Sequence, residues 1–325
     1  MAVTTIKATR VVNTILGVLE RDTVLARLVW RDAGGDFRGA AGDTITIRVP
    51  AYTEADSRDL RSGATRVASN LTERTVPVTL NTDLYKRVPI TDEELTLDIV
   101  EFETQIITPV ASALVRGLET EIIGLLESSS YQFDVNFNDF TRPYDAIIRA
   151  RRHLNDSRVP MDGRALVVGS GVEELLLTDE QFVRADYSGD TEAFRSAMIG
   201  RVGGFPVYYV PGLPPNEAFA FHRTAFVLST RAPMVPRGVP QGQGATASYN
   251  GFALRTVTLT DPEQVVDQFN ADVWCGTNLV RDFGSIVDDG DLEPGTGFFV
   301  PDPDPDLDND TPLFVRAVHL SIGAS

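Results

Sequence analysis

Lysine, cysteine and histidine are all scarce in this 325-residue sequence. It has three histidines and a single cysteine, Cys275, which excludes an internal disulfide framework and the paired ligand spacings of a zinc site. The only lysines are Lys7 and Lys86, and neither follows a glycine, so the phosphate-binding P-loop pattern is missing. We therefore expect no metal and no nucleotide cofactor.

Long apolar runs are also missing. No stretch approaches the roughly 20 consecutive apolar residues of a membrane span, and residues 1–10 lack the layout of a signal peptide. These features predict a soluble cytoplasmic protein without a membrane partner. The formal net charge of −17 argues against tight nucleic-acid binding, because phosphate affinity depends on Lys and Arg displacing counterions. Any contact with DNA should be loose.

The residues that could carry catalysis are not grouped in the sequence. His153, His222 and His319 lie in three different segments, and Gly169-Ser170-Gly171 lacks the first glycine of a nucleophile elbow. We predict that Ser170 is a helix N-cap with Glu173 behind it, and we predict no catalytic residue. A soluble α/β enzyme using Ser170, or the helix around residues 149–153, is the distant alternative.

The one basic cluster consists of Arg149, Arg151 and Arg152. Asp145 precedes Arg149 by four residues and Asp156 follows Arg152 by four, the spacing at which charges pair across a helical turn. We predict a self-neutralised, solvated helix face, with a surface that faces DNA as the alternative.

Residues 288–310 are acidic and rich in proline, which predicts an extended, solvated insert. Aspartates alternate from Asp302 to Asp310. Calcium binding there is an alternative, although the glycine and terminal glutamate of an EF-hand loop are missing.

The first part of the chain changes from helical to strand periodicity. Val12, Ile15, Leu16 and Leu19 form an amphipathic helical stripe, and a short helix is predicted at 23–30. Period-two alternation then predicts paired strands at 44–49 and 75–80. The polar segment between them, 51–70, has too few apolar residues to fold on itself, so a long projecting β-arm is predicted.

The strongest helix signal begins with a capping box at Thr91 and Glu94. Apolar residues then recur every three or four positions up to Leu125, which predicts one helix roughly 50 Å long. Pro109 falls inside this stripe and should kink the helix or divide it.

The rest of the chain alternates between helices and strands, which predicts a mixed α+β fold. The helices are predicted at 143–154, 172–177 and 191–199, and the strands at 165–168, 207–210, 252–260, 264–273 and 314–322.

Several strings in this order resemble the major capsid proteins of tailed bacteriophages with the Hong Kong 97 fold, especially those of actinobacteriophages. They are GDTI at 42–45, VPITDEE at 88–94, IITPVASAL at 106–114, RALVVGS at 164–170, IGRVGGFPV at 199–207, AFAFHRTAF at 218–226, GFALR at 251–255 and WCG at 274–276.

The resemblance implies a non-enzymatic subunit of an icosahedral shell around double-stranded DNA. Its regions would be an N-terminal arm (1–43), an extended β-hairpin E-loop (44–80), a P-domain with a long spine helix (81–138), an A-domain (139–250), and return strands of both domains with the acidic insert (251–325). An encapsulin-type nanocompartment shell with the same fold is the nearest alternative.

The family's shells are built from pentamers and hexamers, with the arm and the E-loop lying across neighbouring subunits. The predicted contact residues are Glu54, Asp56, Arg58, Asp59, Arg61, Arg66, Glu73 and Arg74. Pro109 and Gly117 are predicted places where the spine helix bends as a precursor shell expands.

Fewer than 45 residues precede the E-loop, which predicts a separate scaffolding protein; a portal is the other expected partner. Residues 51–74 contain no lysine, so we expect a shell without covalent cross-links. The expected location is the virion capsid, after assembly in the host bacterial cytoplasm.

Overall fold

The computed structural model describes residues 8–31, 44–49, 55, 57, 60–61, 65, 74–90, 103–179, 198–240, 242–261, 266–287, 298–302 and 312–323. The helices are α1 (Ala8–Asp22), α2 (Leu25–Leu28), α3 (Thr108–Ser128), α4 (Pro143–Asp156) and α5 (Ser170–Thr178). The strands are β1 (Thr44–Val49), β2 (Arg74–Thr79), β3 (Thr82–Ile90), β4 (Asp134–Asn136), β5 (Arg164–Val168), β6 (Met198–Val202), β7 (Phe205–Tyr209), β8 (Glu217–His222), β9 (Phe226–Arg231), β10 (Gly244–Tyr249), β11 (Phe252–Asp261), β12 (Val266–Leu279), β13 (Gly284–Val287), β14 (Phe298–Pro301) and β15 (Ala317–Ser321). The predicted α+β class is confirmed.

The chain divides into two compact units. The first comprises Met1–Ile45, Pro77–Ser128 and Phe226–Asn278, and the second comprises Thr46–Val76, Ser129–Ala225 and Leu279–Ser325. Both units are therefore built from segments that are far apart in the sequence.

The first unit is organised around a five-stranded sheet in the order β10-β11-β12-β3, with β9 also pairing with β12. Helix α1 packs against β10, β11 and α3, and α3 packs against β3. The apolar stripe of α1 is fully buried at Val12, Ile15 and Leu19, as the sequence periodicity predicts. Leu254 and Phe269 are buried in the sheet.

The second unit has a six-stranded mixed sheet in the order β4-β15-β8-β5-β7-β6. All five residues of β5 are buried, because it is a central strand between β8 and β7. Helices α4 and α5 contact each other, and Ile147 and Val172 lie in the same apolar core as Leu166.

The predicted long helix is confirmed in its second half, as α3, which is preceded by a π-helical turn at Glu103–Ile107. Residues 91–102, including the predicted capping box, lie outside the described residues. The predicted helix at 23–30 is shortened to four residues, because Trp30 instead forms a bridge to Val227.

The predicted helix at 191–199 is wrong at its C-terminal end. Met198 opens β6, which pairs antiparallel with β7 through the Gly203-Gly204 turn. Both turn glycines have positive φ angles, 55° and 88°, a conformation that glycine adopts readily. Residues 191–197 lie outside the described part of the chain.

The acidic insert contains a strand that the sequence pattern does not indicate. β14 pairs with β13, and Phe299 is buried in the core of the second unit. This apolar anchor interrupts the acidic composition of the insert. Asp302 is described, whereas residues 303–310 are not, so the calcium alternative lies largely outside the described residues.

Candidate assembly interface

The N-terminal segment is fastened to the spine helix by one carboxylate. Glu119 of α3 accepts hydrogen bonds from the backbone N–H groups of Val24 at 2.8 Å, Leu25 at 3.0 Å and Ala26 at 3.4 Å. These N–H groups open α2 and have no partner within their own helix. Burial raises the pKa of Glu119, and the three hydrogen bonds act in the opposite direction. The carboxylate therefore holds the segment before residue 31 on α3.

The same segment is also fastened to the β10–β11 hairpin. Arg31 pairs with Glu20 at 3.1 Å, and its guanidinium lies 4.8 Å from the ring centroid of Phe252. The Asn250 side-chain amide donates to the second carboxylate oxygen of Glu20. A cation over an aromatic face adds to the ion pair. The hairpin tip and the end of α1 therefore form one polar cluster.

The predicted β-arm begins and ends in a two-stranded ribbon of β1 and β2. In β1 every second residue is buried, with Ile45, Ile47 and Val49 on one face. The hydroxyls of Thr44 and Thr79 are 2.9 Å apart. The period-two prediction is thus confirmed for β1.

Most of the predicted contact residues lie outside the described part of the chain. These are Glu54, Asp56, Arg58, Asp59, Arg66 and Glu73. Arg61 is exposed on a turn, and Arg74 contributes its backbone to β2. Their role in contacts between subunits stays a prediction.

The two bend candidates lie in and beside α3. Pro109 is the second residue of the helix, is exposed, and lies two residues after the end of the π-helical turn. A Cβ atom added to Gly117 would lie 3.4 Å from both Cδ atoms of Leu84 on β3. Gly117 therefore marks a close approach between the helix and the sheet.

The three histidines each have a different structural environment. His153 stacks on Phe133 with ring centroids 4.4 Å apart, and burial lowers its pKa to about 4. Burial also lowers the pKa of His222, which faces the Thr224 hydroxyl at 2.8 Å. His319 contacts Asp134 at 2.8 Å. The histidines thus support packing in the second unit.

Ser170 is not the N-cap of α5. The cap is Gly169, and exposed Ser170 is the first helical residue. A Cβ atom at position 169 would lie 2.1 Å from the Pro214 carbonyl oxygen, so only glycine fits this close approach. The prediction of a Ser170 cap is corrected accordingly.

The basic cluster of α4 is only partly paired as predicted. Arg152 and Asp156 pair at 3.2 Å, but Asp145 pairs with Arg142 at 3.1 Å. Arg151 donates to the carbonyl oxygen of Gly203 at 2.8 Å, so this arginine fixes the β6–β7 turn. Asp145 therefore pairs with Arg142, the N-cap residue of α4, and not with Arg149 as predicted.

The five-stranded sheet has a solvent-exposed aromatic face that the sequence analysis did not predict. Tyr85 on β3 and Trp274 on β12 are 66% and 40% exposed. Tyr85 is opposite Asp272, and Trp274 is opposite Asp83, so the two aromatic rings lie on the same face. Asp272 is nearly buried and is paired with Arg255. Alternation within β12 could have indicated this face, but a strand at 82–90 was not predicted.

The described residues contain neither a metal-binding cluster nor a membrane-spanning helix. There, no group of three or more His, Cys, Asp or Glu side chains is arranged to hold a metal ion. Among the described helices, none is long and apolar enough to cross a membrane.

The sequence matches the phage capsid protein family over residues 73–291. That span covers most of the chain, including α3, the five-stranded sheet with its hairpin β10–β11, and every strand of the six-stranded sheet except β15. The chain belongs to the phage capsid protein family. It is a phage capsid protein, a structural subunit of the virion capsid. No curated protein matches the sequence.

Solved structures agree with this capsid protein in fold. A Mycobacterium phage Che8 chain has a TM-score of 0.58 at 18% identity, over 92% of this chain and 91% of that one. The cyanophage P-SCSP1u capsid gives a TM-score of 0.57 at 9% identity, over 94% and 89%. The Ralstonia phage GP4 capsid gives 0.55 at 11% identity, over 88% and 85%. The predicted Hong Kong 97-like fold is confirmed.

Proposed function

We propose that this capsid protein assembles as pentamers and hexamers around double-stranded DNA, with its β-arm lying across a neighbouring subunit. The observation that carries this proposal is the polar composition of residues 51–70, which join β1 to β2. The apolar face of β1 is already buried within the subunit, but a segment with so few large apolar residues cannot bury a core of its own. A neighbouring subunit would supply the packing surface that residues 51–70 need.

The regions of the subunit are part of the same proposal. The second unit, apart from the E-loop residues 46–76, would be the A-domain near the capsomer centre, and the first unit would be the P-domain with the N-terminal arm. The predicted A-domain, 139–250, includes β9 and β10, which pair in the sheet of the first unit. Support for assigning β15 to the A-domain comes from its pairing with β8 and β4.

Contacts between subunits would combine apolar burial under the arm with ion pairs from Arg58, Arg61 and Arg66. Each exposed pair contributes about 0 to 1 kcal/mol, and repetition over a closed shell makes the sum large. Arg61→Glu should lower the yield of shells relative to Arg237→Glu, which changes another exposed arginine. Equal yields would argue against a contact through Arg61.

A separate scaffolding protein and a portal would assist assembly in the host cytoplasm, and the acidic shell would contact packaged DNA loosely. Expression of the capsid protein with and without its neighbouring genes tests the scaffold. Closed shells from the purified chain alone would contradict this part of the proposal.

The shells would be held together without covalent cross-links, because residues 51–74 contain no lysine. Shells boiled in denaturant should release only monomers on a gel. Ladders of higher mass would contradict this expectation.

Electron microscopy of the chain expressed with its neighbouring genes tests the proposal as a whole. We expect closed icosahedral particles whose capsomers are pentamers and hexamers. A cargo-enzyme gene beside this one, in place of scaffold and portal genes, would favour the nanocompartment alternative. A discrete small oligomer under all conditions would overturn the assembly proposal.

A further inference from the structure

Strand β10 presents an unpaired edge at one end of the five-stranded sheet. It pairs with β11 over six residues in continuous register, from Gly244 opposite Val257 to Tyr249 opposite Phe252. No other described strand pairs with it. The connecting turn is Asn250-Gly251, with φ angles of 47° and 82°, which is the preferred type I′ geometry of a two-residue hairpin. The β10–β11 hairpin is therefore regular from its turn to Gly244.

The hydrogen-bond pattern identifies the backbone groups that point away from the sheet. Thr258 donates its N–H to the carbonyl oxygen of Gln243 at 2.8 Å, so residue 243 directs its carbonyl toward β11. Successive residues of an antiparallel strand alternate in this direction. Residues 245, 247 and 249 therefore bond to β11, whereas Gly244, Thr246 and Ser248 direct their N–H and C=O groups outward.

The edge also lacks the features with which proteins protect end strands. Charged residues, proline, bulges and short length prevent an edge from pairing with another chain. The opposite end strand, β3, contains Lys86, Arg87 and Pro89. In the other large sheet, β6 has an irregular register and β4 has three residues. The sequence of β10, GATASY, has none of these features.

We propose that the β10 edge pairs antiparallel with the same edge of a second copy of this chain across a two-fold axis of the shell. The partner is a second copy because a shell surrounds each subunit with identical neighbours, and an uncharged edge of this kind is complementary to itself. A two-fold contact uses the same patch on both subunits. This inference rests on the assembly of the chain into shells.

One register satisfies every outward group of the pairing residues. With Thr246 opposite its counterpart, Gly244 lies opposite Ser248 of the second copy, and Ala245 lies opposite Ala247. All outward N–H and C=O groups of residues 244, 246 and 248 then find a partner. Thr246 and Ser248 are exposed and lie on the same face of the strand, where paired threonines interact favourably. The two sheets would become one continuous sheet.

Engineered cysteines test both the pairing and its register in shells made by the full chain with its neighbouring genes. Thr246→Cys places two thiols opposite each other, at a Cα separation of about 5.5 Å that a disulfide can span. Ser248→Cys is the matched control, because its two thiols would sit about four residue positions apart, roughly 14 Å. The native Cys275 is buried, so wild-type shells provide the background.

After mild oxidation, non-reducing gels of Thr246→Cys shells should show a dimer band several-fold stronger than that of Ser248→Cys shells. Shells of Thr246→Cys that remain monomeric on the gel would overturn the inference while leaving the capsid function intact. A dimer band from Ser248→Cys equal to or stronger than that from Thr246→Cys would overturn the register. Failure of the wild-type chain to form shells would instead count against the assembly proposal.

A second variant acts on the backbone donor itself. Thr246→Pro removes an N–H that points away from β11, and proline is tolerated at such edge positions. We expect the subunit to keep its thermal unfolding temperature but to lose most of its shells. Wild-type yields of shells from Thr246→Pro would overturn the inference.

Discussion

The backbone N–H of Leu25 donates a hydrogen bond to a carboxylate oxygen of Glu119, 94 residues further along the chain, at 3.0 Å. The other oxygen accepts from Val24 and Ala26. A single side chain of α3 therefore holds the start of α2 in place within the first unit.

Replacing Glu119 with Ala should release this segment. The substitution leaves buried N–H groups without acceptors, at a cost of about 1 to 3 kcal/mol. Limited proteolysis should show faster cleavage between residues 20 and 31, with a lower unfolding temperature. Glu127→Ala, an exposed change on the same helix, is the control, and equal cleavage of both variants would contradict the role given to Glu119.

His153 predicts an acid sensitivity of the second unit. Burial lowers its pKa from 6.5 to about 4, so the unfolded state takes up a proton at a higher pH than the folded state. The contribution of neutral His153 is complete above about pH 6.5 and is lost as the pH falls toward 4. We expect a loss of about 1 to 3 kcal/mol across this window.

The variant His153→Phe separates this effect from general acid unfolding. It keeps an aromatic ring against Phe133 and removes the buried Nδ1, which has no hydrogen-bond partner among the described residues. Chemical denaturation at several pH values should show a flatter dependence for His153→Phe than for the wild type between pH 6.5 and 4. Parallel curves would show that His153 does not titrate in this way.

Local sequence patterns predicted the helices and strands whose hydrophobic periodicity is regular. The stripe of α1 and the alternation of β1 depend on neighbours in sequence, and both are present. β8 (EAFAFH) is buried on both faces, so it shows no alternation, and β10 has too few large apolar residues to indicate a strand. The bond between Glu119 and Leu25 could not be predicted, because nothing in either segment specifies a partner so distant in sequence.

The Arg255–Asp272 pair should be among the most sensitive polar contacts of the first unit. The side chain of Asp272 is 4% exposed and that of Arg255 is 17% exposed. Removing one partner of a buried pair leaves an uncompensated charge and costs about 3 to 5 kcal/mol. Asp272→Ala should therefore lower the denaturation midpoint strongly.

The exposed Arg152–Asp156 pair supplies the comparison. Its side chains are 42% and 31% exposed, so Asp156→Ala should cost less than about 1 kcal/mol. Similar midpoints for Asp272→Ala and Asp156→Ala would mean that solvent reaches Arg255 more freely than its burial indicates.

The bend proposed for the spine helix can be tested with three substitutions in or near α3. Glycine destabilises a helix interior by about 1 kcal/mol relative to alanine, so Gly117→Ala and Gly124→Ala should each stabilise the helix. Nothing lies within 4 Å of a Cβ atom at Gly124, which makes it the matched control. A Cβ atom at Gly117 would contact Leu84 at 3.4 Å and would stiffen the helix where it approaches β3.

Pro109 cannot donate a backbone hydrogen bond to the preceding turn, and Pro109→Ala would restore that donor. If the helix bends during maturation, Gly117→Ala and Pro109→Ala should form normal precursor shells that expand more slowly than Gly124→Ala shells. Particle diameters measured by electron microscopy over time give the rates, and identical rates for all three variants would place the bend elsewhere.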